Sequence, residues 1–396
     1  MAALPNETLT TIFDELSPSS LAAVARVSTR FNAVAERLLY SSIYITDILT
    51  ESSPLPWKTI WWCKAMRRRV HLIDTAKKLH IRWQADPDAP PPPAQYILQT
   101  CEELSEILRA LTPIESIDLF LGPANIVLHN YRLQSPGYDL IHHEPLMHAI
   151  ERVIRGCQFS QLRSCTLGAD SAKGVQPYTG VLISFLASLP RLRHLRLSDS
   201  GHYSQMNVHS ALDELPADAL PLLCSFRGSP DAAASLLPGR PVQYLSLIGQ
   251  DSDVNRDNLP RMTRTAVPLR CLDLSAMSAR PMLLRNVSTY LPTVESLRVK
   301  LALRHTLHYS FSGIRILAGL SSVLNAFTQL SFLDLSPTAI DGVGRADASE
   351  ELGLCMEWHR ACPSLRRIVF PSQTEWALNV DMFVWHPVAV SGSADS

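Results

Sequence analysis

Glycine, net charge and long apolar runs are all scarce in this sequence, and each shortage excludes a class of function. Only 16 of the 396 residues are glycine, and the sequence contains neither of the phosphate-holding loops G-x-x-x-x-G-K-[ST] and G-x-G-x-x-G. A formal net charge of −1 gives no reason to expect a nucleic-acid partner. The longest apolar run, residues 180–189, is shorter than the ~18 residues that a transmembrane helix needs.

The start of the sequence and its cysteines indicate the compartment. No basic stretch followed by an apolar run stands near residue 1, so we expect no signal peptide. The 8 cysteines form no C-x-x-C pair and most lie in apolar stretches, which predicts reduced core residues of an intracellular protein. For Cys355 and Cys362 a core position is favoured over reactive chemistry. We therefore expect a cytoplasmic or nuclear location, without a choice between the two.

One segment is similar to a zinc-protease site but has the wrong spacing. The letters HHEPLMH occupy residues 142–148, and an H-E-x-x-H box needs its two histidines one helical turn apart. Counted from His143, the second histidine would stand where Met147 is, and Pro145 lies inside the box. A G-x-S-x-G nucleophile turn is also absent from the sequence. The sequence therefore predicts no catalytic residue, no metal site and no cofactor.

The segment 54–69 places tryptophans beside basic residues. It contains Trp57, Trp61 and Trp62 together with Lys58, Lys64, Arg67, Arg68 and Arg69. Aromatic residues among basic ones occur in proteins that bind single-stranded nucleic acid. We favour a different interpretation, a helix with its tryptophans packed inward and its basic residues in solvent.

From residue 75 onward the pattern L-x-x-L-x-L recurs along the chain. Its last two apolar residues are two positions apart, so they share one face of a strand. The spacing between copies is irregular, with 19 residues from Phe226 to Leu245 and 48 from Ile117 to Cys165. The central residues of the copies are Ile117, Cys165, Leu195, Phe226, Leu245, Leu272, Leu297, Leu333 and Ile368.

Stretches with helical spacing alternate with these copies. Residues 96–111 and 314–327 each have an apolar helical face, and Leu-Pro corners at Pro190 and Pro292 precede the next strand. Repeated strand–helix units predict an α/β solenoid with a parallel sheet on its concave side and helices outside. Such a surface is typical of binding proteins.

The first forty residues predict three short helices. Ser17 and Ser28 stand at the N-cap positions of the second and third helices. Residues 4–13, LPNETLTTIF, have apolar side chains at helical spacing. Helices this short rarely bury their apolar faces without a partner. We therefore expect the apolar stripe of the first helix to face another protein.

This segment resembles the F-box, a helical motif that docks a protein on the Skp-type adaptor of a cullin-RING ubiquitin ligase. The family pattern is roughly L-P-x-E-[IL]-L-x-x-I-F-x-x-L, followed by a second leucine and Val-Cys-[KR]-x-[WF]. The sequence departs from it at Thr8, at Ser28 and at Phe31, where tryptophan is commoner. The residues that the resemblance assigns to adaptor binding are Leu4, Pro5, Leu9, Ile12, Phe13, Leu16, Leu21, Val24, Val27 and Phe31.

The downstream copies resemble, more loosely, the leucine-rich C-terminal halves of F-box proteins that are numerous in mushroom-forming fungi. The segments LPLLCSFRGSP and LLPGRPVQYLSL carry this second resemblance. The predicted domains are an F-box at 1–45, a helical connector at 46–74, a leucine-rich-repeat-like solenoid at 75–387 and a disordered tail at 388–396.

These resemblances imply a substrate-recognition subunit of an SCF-type ubiquitin ligase. Such a subunit is not itself an enzyme; it binds the adaptor, through it a cullin, and a target protein, with no nucleic acid or membrane partner. An enzyme with an unnoticed site is an alternative, which a convergent His/Asp/Cys pocket would favour. A leucine-rich-repeat interaction protein with an adaptor-bound, non-degradative role is another. Target levels after deletion of the F-box would separate this last alternative from the ligase subunit.

The repeat strands also predict a target-binding face. Residues on either side of each central apolar residue point away from the core. Aromatic residues beside arginine are typical of protein interfaces, although such residues also stabilise a sheet, for example as an ion-pair ladder. The predicted target-binding residues are His194, Arg196, Tyr244, Asp273, Arg298, Phe332, Asp334 and Arg367.

Overall fold

The computed structural model describes residues 4–86, 91–134, 147–170, 179–199, 211–302, 317, 319–339 and 348–388. The chain divides into two units, Met1–Leu222 and Leu223–Ser396. Each unit combines helices with a mostly parallel array of strands. The fold is therefore mixed α/β, as the sequence predicts.

The first unit begins with three helices and continues as strands that alternate with helices. Its helices are α1 (Asn6–Asp14), α2 (Pro18–Val24), α3 (Thr29–Ser41), α4 (Trp57–Arg68), α5 (Ala94–Ala110), α6 (Ala124–Gln134), α7 (Ala149–Ile154) and α8 (Gly180–Ala187). Its strands are β1 (Ser42–Leu49), β2 (Lys78–Ala85), β3 (Ser116–Phe120), β4 (Ser164–Ala169) and β5 (His194–Asp199). Consecutive strands are neighbours and pair in parallel, so the segments between them are crossovers.

The second unit continues the alternation with shorter helices. Its helices are α9 (Pro230–Leu236), α10 (Leu259–Met262), α11 (Pro281–Tyr290), α12 (Ser321–Leu324) and α13 (Ala348–Ala361). Its strands are β6 (Ser225–Gly228), β7 (Tyr244–Ile248), β8 (Cys271–Ala279), β9 (Ser296–Leu301), β10 (Phe332–Asp334), β11 (Arg367–Val369), β12 (Glu375–Asn379) and β13 (Val384–Pro387). Strands β6 to β11 pair in parallel in chain order.

The central residues of the predicted copies stand opposite one another in these ladders. In the first unit Ile117 pairs with Cys165, and Cys165 with Leu195. In the second unit the row consists of Phe226, Leu245, Leu272, Leu297, Leu333 and Ile368. Every one of these side chains is at most 2% exposed. Because full burial of one large apolar side chain is worth about 1.5–3 kcal/mol, the two rows are a main source of stability. The predicted strand positions are confirmed.

The helix predicted over 96–111 is present as α5. Its inward face carries Ile97, Cys101, Leu104 and Leu108, all of which are buried. The helix predicted over 314–327 is described only in part, as α12, because residues 314–316 and 318 lie outside the described part of the chain.

The segment 46–74, predicted to be a helical connector, is only partly helical. It begins with the end of strand β1, and helix α4 follows. Strand β1 follows α3 without a loop and pairs in parallel with β2 along its whole length. Its inward residues are Ile43, Ile45, Asp47 and Leu49. The alternation is a strand signal, but a carboxylate at an inward position interrupts the apolar pattern, and the sequence prediction therefore missed the strand.

The buried carboxylate of Asp47 determines where α4 begins. It accepts hydrogen bonds from the backbone N–H groups of Lys58 at 2.9 Å and Thr59 at 3.1 Å, and from the Thr59 hydroxyl at 2.7 Å. Trp83 Nε1 donates to the same hydroxyl oxygen at 3.0 Å. Because Pro56 at the N-cap has no side-chain acceptor, Asp47 satisfies the first N–H groups of the helix from a neighbouring strand.

The prediction of parallel strands up to residue 387 is wrong for the last two strands. Strand β12 pairs antiparallel with β11, and β13 antiparallel with β12. A tight turn joins β11 to β12, in which the N–H of Gln373 donates to the carbonyl of Phe370 at 2.9 Å. A connection this short can join only antiparallel strands, since a parallel pair needs a crossover of a dozen or more residues.

Most of the cysteines occupy core positions, as predicted. All 8 are free thiols, and 6 are buried, including Cys355 and Cys362. Burial raises the pKa of the thiols of Cys63, Cys101 and Cys157 to about 12. Thiols that stay protonated at neutral pH are poor nucleophiles.

Two further predictions lie largely outside the described residues. Of the HHEPLMH segment only Met147 and His148 are described, and of the predicted tail only Val388. Within the described part of the chain, no helix is long and apolar enough to cross a membrane.

Candidate adaptor-binding and target-binding surfaces

The three N-terminal helices pack around a small apolar core of their own. Phe13 on α1 meets Phe31 on α3 edge to face, with ring centroids 5.4 Å apart and an interplanar angle of 81°, an arrangement that aromatic pairs favour. The buried residues of this core are Leu9, Phe13, Leu21, Val34 and Ala35. Partly buried residues packed against it are Leu16, Val24, Ala25, Phe31, Leu38 and Leu39.

Side-chain hydrogen bonds determine where these helices start. The hydroxyls of Ser17 and Ser28 each accept a bond from the backbone N–H three residues later, at 3.2 and 3.1 Å, so both predicted N-caps are confirmed. Arg30 Nε donates to Asn6 Oδ1 at 2.9 Å, and the same guanidinium donates to the carbonyl of Leu4. The start of α1 is thereby held against α3.

The predicted adaptor-binding residues divide between the core and the surface. Leu9, Phe13 and Leu21 are buried, and Leu16, Val24 and Phe31 are partly buried. The residues left in solvent are Pro5, Leu4 (52% exposed), Ile12 (48% exposed) and Val27 (67% exposed). The apolar stripe of α1 is thus shared between two environments, and Leu9 and Phe13 face the chain's own core, contrary to expectation.

The three-helix bundle continues directly into the strands. Strand β1 begins at Ser42, immediately after α3 ends at Ser41. Glu36 on α3 forms an ion pair with Arg69 and lies 3.4 Å from His71 Nε2, at the segment that follows α4. The bundle is therefore joined to the rest of the first unit by both backbone and side-chain contacts.

In the second unit, the predicted flanking residues form two rows on the sheet face opposite the helices. The first row contains Tyr244, Cys271, Ser296, Phe332 and Arg367, and the second contains Ser246, Asp273, Arg298, Asp334 and Val369. Asp273 and Asp334 are buried, although both were predicted to be available to a target. Tyr244 is 40% exposed.

The carboxylate of Asp273 is held by its neighbours. It accepts hydrogen bonds from the hydroxyls of Ser246 at 3.1 Å and Tyr244 at 3.3 Å, and from the backbone N–H of Ser275 at 2.9 Å. Burial acts to raise the pKa of Asp273, but these hydrogen bonds outweigh it and lower the pKa below its usual value. Burial and the charge of Asp273 raise the pKa of Tyr244, so the tyrosine stays a neutral donor.

Two arginines of this face also have partners. Arg298 Nε lies 3.1 Å from Asp334 Oδ2, which forms one rung of the predicted ion-pair ladder. The guanidinium of Arg367 stands 5.2 Å from the centroid of the Phe332 ring. Its Nε and Nη2 both donate to Glu375 Oε1, at 2.8 and 2.5 Å. The second unit thus brings six of the eight predicted target-binding residues onto one sheet face.

The remaining two, His194 and Arg196, lie in the first unit on β5. Both side chains are exposed, and Arg196 Nε donates to Ser198 Oγ at 2.9 Å.

Among the residues that the structure describes, no group of three or more His, Cys, Asp or Glu side chains is placed to hold a metal ion. The two surfaces carry apolar and aromatic side chains, and on the sheet face of the second unit several charged side chains are paired. Exposed aromatic and guanidinium side chains of this kind are typical of protein interfaces.

Comparison with protein families identifies the type of domain to which the N-terminal bundle belongs. Residues 1–46 match the family model described as F-box-like. The bundle is an F-box-like domain. None of the curated proteins matches the chain.

One solved structure with some likeness is the yeast complex of Rad7 and Elc1. A chain of that crystal structure is 11% identical, and the likeness covers 86% of this chain and 91% of that chain at a TM-score of 0.25. A TM-score of this size is too low to establish a common fold.

Strands β1 to β3 of the first unit form a further face, none of whose residues is among the predicted target-binding residues. Tyr44 on β1 is 72% exposed, and its ring centroid is 5.8 Å from that of His80. His80 Nδ1 lies 3.0 Å from Asp118 Oδ2. Arg82 stands over the ring of Phe120, 5.0 Å from its centroid. The alternation within residues 42–49 was the available signal for this face.

The prediction that the tryptophans of residues 54–69 pack inward is correct for only one of them. Trp62 is buried, whereas Trp57 is 39% and Trp61 62% exposed. The two exposed rings lie against each other, with centroids 6.2 Å apart and an interplanar angle of 32°. The inward face of α4 is already occupied by Thr59, Cys63 and Met66, which leaves the other two rings on the solvent side.

Proposed function

We propose that this chain is the substrate-recognition subunit of an SCF-type cullin-RING ubiquitin ligase. The observation that carries the proposal is that residues 1–46 match an F-box-like domain and contain a three-helix bundle with apolar side chains left in solvent. The chain would bind a Skp-type adaptor, and through it a cullin, without catalysing a reaction itself. It would act by raising the effective concentration of a target near the ubiquitin-conjugating enzyme.

The exposed apolar residues of the F-box-like domain support adaptor binding. Leu4, Ile12 and Val27 are each about half exposed or more, and transfer of a large apolar side chain from water into an interface is worth about 1.5–3 kcal/mol. The buried residues Leu9 and Phe13 have a different role in this proposal. They hold the helices in the arrangement that presents the exposed ones.

We further propose that each unit contains a degenerate leucine-rich-repeat array of the solenoid type, and that the sheet face of the second unit binds the target. The in-register rows of central apolar residues support the repeat interpretation. On the face, Tyr244 and the Arg367–Phe332 pair offer aromatic and guanidinium surface, the composition that binding hot spots favour. Asp273 and Asp334 act in this proposal by positioning their neighbours rather than by touching the target.

Adaptor binding is tested by charge on the exposed positions. We expect Leu4→Asp combined with Ile12→Asp to abolish co-purification with a recombinant Skp-type adaptor, because both carboxylates would have to be buried without a partner. Asn32→Asp on exposed α3 surface is the matched control and should bind normally. Phe13→Asp is unsuitable, since it would unfold the bundle whether or not an adaptor binds. Unchanged binding by the double variant, with an intact circular dichroism spectrum, would refute the proposal.

Target binding and its outcome are tested in cells. Proteins that co-purify with the wild-type chain under proteasome inhibition are compared with those of Tyr244→Ala/Phe332→Ala, which should retain the adaptor and lose the target. Leu4→Asp/Ile12→Asp should lose the adaptor and retain the target. The level of the target in the cell should then rise. A target whose level does not change would instead favour the non-degradative role.

A further inference from the structure

The solvent face of α4 carries a straight row of four side chains that the proposed function does not use. Trp57, Trp61, Lys64 and Arg68 stand at positions i, i+4, i+7 and i+11, and all four are exposed. At 1.5 Å per residue the row is about 16 Å long, and the helical period keeps its members on one face. We call this row the α4 stripe.

The members of the α4 stripe have unused binding capacity. Within the described residues, Lys64 and Arg68 take part in no ion pair or hydrogen bond through their side chains, and the indole N–H groups of both tryptophans have no acceptor. The stripe therefore offers two cations one helical turn apart, next to the apolar surface of two indole rings. Exposed tryptophan and arginine are the residue types that are enriched at interface hot spots.

Carboxylates border the stripe and restrict what can bind there. Arg67, the neighbouring basic residue, is paired with Glu103 at 3.6 Å and Glu106 at 2.6 Å on α5. Beyond the C-terminal end of α4, Arg69 is paired with Glu36. An extended polyanion such as a nucleic-acid backbone or an anionic lipid surface would meet these carboxylates as well as the two cations. A narrow ligand with only a few carboxylates would meet the cations alone.

We propose that the α4 stripe binds an acidic segment of a partner protein that carries aromatic or large apolar side chains. Its carboxylates pair with Lys64 and Arg68, and its apolar side chains pack on Trp57 and Trp61. The charge of the segment is complementary to the two cations, and a segment with few carboxylates avoids the repulsion that the neighbouring glutamates would exert on an extended polyanion. This inference is independent of the adaptor and target surfaces proposed above, because none of its residues belongs to them.

The experiment uses the full chain and a random copolymer of glutamate and tyrosine in a 4:1 ratio as the probe. Binding of the labelled copolymer is followed by fluorescence anisotropy. Polyglutamate, a lysine–tyrosine copolymer, a 20-nucleotide oligo-dT and vesicles with phosphatidylserine are the comparison ligands. We expect the glutamate–tyrosine copolymer to bind most tightly, polyglutamate more weakly, and the lysine–tyrosine copolymer not at all. Because two charge pairs contribute, added salt should weaken the binding.

Two variants and their matched controls assign the binding to the α4 stripe. Trp57→Ala/Trp61→Ala and Lys64→Glu/Arg68→Glu should each weaken copolymer binding about 10-fold or more. The controls are Tyr96→Ala, which removes an exposed aromatic ring from α5, and Arg256→Glu/Arg285→Glu, which makes the same charge change elsewhere; neither should alter the affinity. The four substituted side chains of the stripe are exposed, so unchanged melting temperatures are expected.

Three outcomes would overturn the proposal. The first is that wild-type protein binds the copolymer no better than the stripe variants do. The second is that oligo-dT binds as tightly as the copolymer and is lost in the same variants, which would make the stripe a nucleic-acid surface. The third is the same result with the vesicles, which would make it a membrane-contact surface.

Discussion

The F-box-like domain and the strand arrays differ in how completely they bury their apolar side chains. In the second unit Leu245 is 0% and Leu297 1% exposed. In the three-helix bundle, by contrast, Ile12 is 48% and Val27 67% exposed. A strand in such an array has one inward face, which the crossover helices cover. A bundle of three short helices can cover only the side of each helix that points to the other two.

This difference bears on where the proposed adaptor would bind. The strand arrays complete their own cores, and some of their exposed apolar residues lie where the alternation of strand and helix stops. Met382 is 71% and Phe383 75% exposed in the turn between β12 and β13, where no crossover helix follows. In the bundle, Ile12 is exposed on α1, Leu4 just before α1, and Val27 between α2 and α3. A second protein can complete that surface without any change in the fold.

The largest expected effect is the loss of a central row residue. Leu297→Ala should lower the free energy of unfolding by about 2–5 kcal/mol, since Leu297 lies between Leu272 and Leu333 and the cavity cannot easily collapse. Urea unfolding followed by circular dichroism measures the change. A loss below about 1 kcal/mol would mean that the row is not what stabilises the second unit.

Inside the bundle, a buried and an exposed position one residue apart should behave oppositely. Phe13→Ala should destabilise the bundle by about 3 kcal/mol, because it removes a buried ring and its contact with Phe31. Ile12→Ala should change the stability by about 0.5 kcal/mol at most. Hydrogen exchange of the backbone amides of residues 6–41 measures the stability of the bundle separately from that of the strands. Equal effects of the two substitutions would contradict the division of α1 into a core side and a free side.

The hydrogen-bonded carboxylate on the sheet face should make stability depend on pH. Because the pKa of Asp273 is lowered in the folded protein, its contribution is present above the unfolded pKa of about 3.9 and is lost as the pH falls through the folded pKa. Asp273→Asn should therefore flatten the acid side of the stability profile and cost about 1–3 kcal/mol at neutral pH. Melting temperatures measured between pH 3 and pH 7 give both quantities. A profile that keeps the wild-type slope would show that another group is responsible.

The smallest expected effect is the loss of the ion pair between Arg298 and Asp334. A double-mutant cycle on Arg298→Ala and Asp334→Ala should give a coupling of about 0–1 kcal/mol, because the arginine side chain of this pair is 52% exposed. The coupling should decrease as salt is added. A value above about 2 kcal/mol would mean that charges on this face stabilise the unit as strongly as its apolar row does.

Features with local signals were predicted well. The alternation around Leu195 or Leu272 is enough to place a strand, and the hydroxyls of Ser17 and Ser28 are enough to place a helix start. Strand β1 was missed because its inward Asp47 is an acceptor for a helix that begins ten residues later. That role cannot be recognised until strand and helix are placed together.

For the target-binding surface, the sequence predicted which residues of the second unit lie on the face but not which of them are exposed. Tyr244 and Arg367 lie on the expected face, whereas Asp273 and Asp334 lie on it and are nevertheless buried. The period of a strand assigns a face to each residue. It carries no information on which neighbours will hydrogen-bond across that face and cover a side chain.

The sequence by itself determined the positions of the repeat strands, the starts of the second and third helices and the presence of an F-box-like segment, because each depends on residues close together in the chain. Only the tertiary structure decided which apolar residues remain in solvent. Phe13 is covered because Phe31 packs against it, and Trp61 is exposed because Trp62 and Met66 already fill the inward face of α4. Exposure depends on contacts between residues that are distant along the chain, and those contacts exist only in the folded protein.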